Sequence, residues 1–70
     1  MKFSIMDASG HSEECYSAGE VSRAMERFSA LLGEGKTAAV RKTGETDYRV
    51  TRGFDPSADE VLFVPRLKGG

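Results

Sequence analysis

Seventy residues of mean composition, 39% hydrophobic and 30% charged, make one small domain near the lower limit for folding around a single apolar core. No apolar run is long enough to span a bilayer, and the formal charge of −1 gives no general case for nucleic-acid binding. The single cysteine, Cys15, cannot form an internal disulfide, and no charged segment followed by an apolar stretch and a cleavage site opens the chain, so the expected compartment is the cytoplasm.

Phe3 and Ile5 alternate with Lys2, Ser4 and Met6, the period of a strand with one buried face. Asp7-Ala8-Ser9-Gly10 then carries turn chemistry, because Asp and Ser bond nearby backbone and Gly accepts positive φ. His11 to Tyr16 is polar and reads as an edge strand with Cys15 as its inward residue, a buried structural cysteine. Val21, Ala24, Met25, Phe28, Leu31 and Leu32 recur at helical spacing and predict one amphipathic helix from 18 to 32. Ser17-Ala18-Gly19-Glu20 fits a capping box at its start, in which the Ser17 hydroxyl accepts from the Glu20 N–H, and Gly33 and Gly35 supply its stop.

Thr37 to Arg41 and Tyr48 to Arg52 flank the turn-like Thr43-Gly44-Glu45-Thr46 and should pair as a hairpin. Phe54 to Asp59 is a loop around Pro56. Val61-Leu62-Phe63-Val64 is a continuous apolar run, the pattern of a strand covered on both faces, and Pro65 closes it. The expected fold is therefore α+β, in the order ββαβββ, with one helix packed on a mixed sheet; if the first and last strands sit side by side at its centre, the most apolar segments are also the most buried, which is the β-grasp arrangement.

Candidate chemistry thins out quickly under physical tests. Ala30 to Thr37 ends in Gly-Lys-Thr, but a phosphate loop runs from a strand into a helix N-terminus, and here the helix comes first. His11 is the only histidine, and with one cysteine there is no metal-ligand spacing and no expected metal or cofactor. Four extended residues separate His11 from Cys15, too far for a nucleophile and its base. Glu13-Glu14 and Asp59-Glu60 are adjacent pairs that read as solvated surface. An enzyme with its own active site is not expected. Residues 1–35 hold three cations against six carboxylates and residues 36–70 seven against five, so the strand-rich half is the basic one. Arg41, Arg49 and Arg52 would be its partner-binding face.

The most informative stretch is the last, Arg66-Leu67-Lys68-Gly69-Gly70, a basic spur ending in two residues without a Cβ that can thread a narrow channel. It is similar to the Arg-Leu-Arg-Gly-Gly end of ubiquitin. Asp59 to Pro65 followed by Gly69-Gly70 also resembles the end of small sulfur carriers, such as the molybdopterin-synthase small subunit, and the apolar strand followed by Val64-Pro65-Arg66 is similar to an ending in the ubiquitin-like part of some phage tail-assembly proteins. The resemblance to the ubiquitin-like β-grasp superfamily implies residues 65–70 as a flexible tail and Gly70 as a carboxylate that an adenylating enzyme activates. Gly69, Lys68, Leu67 and Arg66 would then guide the tail, with an acceptor protein or a sulfur-consuming reaction downstream. Against this stands a non-enzymatic interaction module, an accessory protein of a phage or mobile element, working through the basic sheet face.

Overall fold

The computed structural model of the protein describes residues 1–65. Among them, five strands form one mixed sheet: β1 Lys2–Asp7, β2 Gly10–Cys15, β3 Thr37–Arg41, β4 Arg49–Thr51 and β5 Glu60–Val64. Their order across the sheet is β2-β1-β5-β3-β4, with β1 and β5 parallel and every other neighbour antiparallel. The helix α1, Val21–Gly33, covers one face. The first and last strands are paired at the sheet centre, and the architecture is α+β, one helix on one mixed five-stranded sheet, compatible with a small β-grasp-like fold.

Strand alternation builds the core. Phe3 and Ile5, Ala38 and Val40, and Val61 and Phe63 all point toward the helix, which returns Ala24, Phe28 and Leu31. The rings form a continuous row: Tyr16 to Phe3 at 5.0 Å, Phe3 to Phe63 at 5.0 Å, Phe63 to Phe28 at 5.7 Å and Phe28 to Phe54 at 5.7 Å. Tilted and edge-to-face arrangements of this kind add to the area they bury. Every phenylalanine of the chain is in that row.

Both helix ends are fixed by local chemistry. At the start, the Glu20 carboxylate accepts from the Ser17 N–H at 2.9 Å, as a capping box requires. The Ser17 hydroxyl donates to the same carboxylate at 3.2 Å, while the Glu20 N–H bonds the Ser17 carbonyl at 2.9 Å, giving a 3₁₀ turn over Ala18–Glu20 before α1 begins. At the end, Gly35 N–H bonds the Leu32 carbonyl and Lys36 N–H the Leu31 carbonyl, the paired bonds of a Schellman motif. Gly35 sits at φ +95°, which a residue with a Cβ adopts only under strain.

Three expectations are corrected. Cys15 is exposed: the register pairs Phe3 with Glu14 and Lys2 with Cys15, so Glu14 is the residue of β2 that turns toward the helix. Val21 and Met25 are 41% and 48% exposed, leaving a helical stripe narrower than the periodicity suggests. Only one face of β5 is fully covered; Val61 and Phe63 are buried under α1, whereas Leu62 and Val64 are half-buried on the open face, shielded by neighbouring strands rather than by a second layer.

Candidate functional site

Two surfaces were expected to carry function. The first, the tail of Arg66, Leu67, Lys68, Gly69 and Gly70, lies outside the described residues. The chain approaches it along β5, the middle strand of the sheet, whose last residue Val64 pairs with Thr37 of β3. Pro65 follows, exposed and without an N–H to extend the ladder. The strand leading to the tail is therefore held on both sides, by β1 and by β3.

The second is the open sheet face, and the three arginines do not assemble there. Arg41 does project from it, because its β3 neighbour Val40 is buried under the helix. Arg49 pairs directly with Val40, so it stands on the helix side of edge strand β4 and reaches Glu45 at 3.4 Å. Arg52 lies in the bend after β4. Alternation separates Arg41 from Arg49 although both lie in the paired strands β3 and β4.

What the open face holds instead is an ionic cluster around Glu60. Its carboxylate accepts from Ser4 Oγ at 3.0 Å, Tyr48 Oη at 3.0 Å and Arg41 at 3.2 Å, with Lys2 Nζ 3.8 Å away. Arg41 also binds Asp59 at 3.2 Å and lies 6.0 Å from the Tyr48 ring centre. Burial works against the Glu60 charge, but its donors from Ser4, Tyr48 and Arg41 and the field of Lys2 outweigh it, holding the carboxyl below the usual glutamate value. The folded pKa is the lower one, so this stabilisation is present above the unfolded glutamate value of about 4.3 and is lost as pH falls through the folded value. Glu60→Gln is expected to cost about 1–2 kcal/mol at neutral pH and to flatten the acid limb of stability, read by urea unfolding across a pH series. An unchanged acid limb would show that Glu60 is not its origin.

Beside that cluster the face turns apolar. Leu62, Ala39 and Val50 are paired in one row across β5, β3 and β4. Val50 is 75% exposed, and Met6 on the same face of β1 is 40% exposed.

His11 and Cys15 share the outer face of β2 with Glu13 between them, and the nearest partner of His11 Nε2 is Glu13 at 3.8 Å. They are not brought together as nucleophile and base. Glu14, on the other face, accepts from Arg27 at 3.1 Å and Tyr16 Oη at 2.8 Å, tying the edge strand to the helix. Among the described residues no three His, Cys, Asp or Glu side chains gather as a metal site, and no helix is long and apolar enough to cross a membrane.

Glu60 is the residue that sequence reasoning missed. Its partners come from positions 2, 4, 41 and 48, and only the register of three strands makes them neighbours. Compared with known proteins, the chain matches no family model, no curated protein and no solved structure.

Proposed function

We propose that this protein is a ubiquitin-like β-grasp protein whose Gly70 carboxylate is activated by a partner enzyme, making it a protein modifier or a sulfur carrier. The observation that carries the reading is the strand order β2-β1-β5-β3-β4, with the strand preceding the diglycine sequence at the sheet centre and parallel to β1. Such a domain holds the base of the tail rigidly and leaves the reacting end to the partner.

The chemistry needs no catalytic group on this chain. A Gly70 carboxylate oxygen attacks the α-phosphorus of ATP and pyrophosphate leaves, giving an acyl adenylate. A thiolate then attacks the acyl carbon and AMP leaves, giving a thioester that passes to an amine. With a sulfide donor in place of the thiolate, the product is a thiocarboxylate. Arg66 and Lys68 would steer the tail toward an acidic channel and Leu67 would add apolar contact. The test is whether adducts or sulfur appear on the protein in its native host, and whether they require Gly70.

A second reading is favoured by the open face. The apolar row Leu62-Ala39-Val50 beside the Glu60 cluster suits a non-covalent partner with an apolar strip and a charged rim. That role needs no Gly70 carboxylate. Val50→Asp is expected to abolish such binding while shifting stability by less than about 0.5 kcal/mol, and deleting Gly70 would leave the binding intact. Retained binding in the Val50→Asp form would exclude this face.

A further inference from the structure

The ladder between β1 and β2 fixes which way the backbone of edge strand β2 points. Met1 N donates to the Tyr16 carbonyl at 3.0 Å, and Tyr16 N–H to the Met1 carbonyl at 2.8 Å, so this is a pair that exchanges both hydrogen bonds. Such pairs alternate along an antiparallel ladder. Phe3–Glu14 and Ile5–Ser12 are therefore bonded pairs as well, and the N–H and C=O groups of His11, Glu13 and Cys15 point away from β1, along the outer edge of the sheet. β2 is a six-residue strand without proline, an open template for another strand.

We propose that two copies of this chain pair through β2, antiparallel about a two-fold axis at Ser12, joining their sheets edge to edge. Parity restricts the choices, because only outward residues can bond outward residues: position 11, 13 or 15 of one copy must face 11, 13 or 15 of the other. An axis at position 13 sets Glu13 against Glu13 of the second copy. An axis at 14 sets Glu14 against its own equivalent, and an axis at 11 opposes two histidines over a shorter overlap. Like charges directly opposed across strands are unfavourable. The axis at Ser12 alone sets His11 opposite Glu13 of the second copy, twice by symmetry, on the outer face. On the helix face it brings Glu14 opposite Gly10 of the second copy, which has no side chain to clash. The two carboxylates thus act as a register filter on an otherwise open edge.

Glu13 already stands 3.8 Å from both Lys2 Nζ and His11 Nε2 of its own chain, and the second copy brings another imidazole, a further hydrogen-bonding partner, to that carboxylate. The contact supplies about four inter-chain backbone hydrogen bonds and a small area, well under the ~800 Å² per partner of stable complexes. The dimer is accordingly weak and reversible. It is independent of any chemistry at Gly70.

The test is a dilution series from millimolar to micromolar protein, followed by translational diffusion and amide chemical shifts. Wild type should associate at the high end, with the shifts concentrated at His11, Glu13 and Cys15. In the His11→Glu form a new carboxylate opposes Glu13 of the second copy, and in the Glu13→Lys form a new ammonium opposes His11 of the second copy; each should weaken self-association about tenfold. Mixed together, these two variants should pair with each other, since one contact becomes carboxylate to ammonium and the other remains His to Glu. Wild-type amide spectra in both single variants establish that they fold. A monomeric wild type at millimolar concentration, concentration-dependent shifts elsewhere on the surface, or no association in the mixture would each overturn the proposal.

Discussion

Phe63→Ala is expected to remove a large part of the domain's stability, the largest loss of any single core truncation in the aromatic row. Phe63 has no exposed surface, lies in the central strand and touches the rings of both Phe3 and Phe28, so it links sheet to helix at the middle of the aromatic row. Truncating a buried phenylalanine costs about 3–5 kcal/mol, the sum of lost transfer energy and the cavity left behind. At 0.05–0.15 kcal/mol per residue, a chain of 70 residues has only about 4–10 kcal/mol to lose. Each kcal/mol moves the melting temperature of a domain this small by about 4–8 °C, so even the lower figure should remove more than about 10 °C. Leu62→Ala, one residue earlier on the half-buried open face, is the control and should cost far less. Thermal melts of the two variants decide it: comparable losses would mean that the core does not lie where the aromatic row places it.

Deleting Gly70 is expected to abolish function outright while leaving the fold untouched. On the proposed chemistry, the reacting atom is the carboxyl carbon of that residue. Shortening the tail by one position withdraws it from an adenylating site by about 3.3–3.6 Å, the reach of one extended residue. A misplacement of even 1 Å can cost about a hundredfold in rate, so adducts visible on a denaturing gel with wild type should vanish in the deleted form. Thermal stability should be unchanged, because among the described residues the buried core lies between positions 3 and 63. Adducts persisting on the shortened protein would place the attachment elsewhere and remove the diglycine from the account.

Much of the fold is legible in the residues because the strong signals are local. Phe3 and Ile5 set the parity of β1, Ala24, Phe28 and Leu31 the face of α1, and the apolar run Val61 to Val64 the central position of β5. Gly35 marks the helix stop, where positive φ is required. What could not be read depends on register. Gly10–Cys15 contains no apolar alternation, so nothing in it tells whether Cys15 or Glu14 turns inward; the two-residue turn at Ala8-Ser9 and the pairing of Phe3 with Glu14 decide that. The same holds for Arg41 and Arg49, which share a hairpin but not a face. Glu60 looked like solvated surface beside Asp59, and became a four-partner cluster only when β1, β3 and the residue before β4 were brought alongside it.

The central claim, activation at Gly70, is tested most directly by intact-mass analysis of N-terminally tagged protein recovered from its native host. The account predicts a subpopulation in which the C-terminal peptide carries either a covalent acceptor or one oxygen replaced by sulfur, the first identifying a modifier and the second a sulfur carrier. A C-terminal peptide found only as the free carboxylate, under conditions where the host's activating enzymes are expressed, would contradict it and leave the open sheet face as the functional surface.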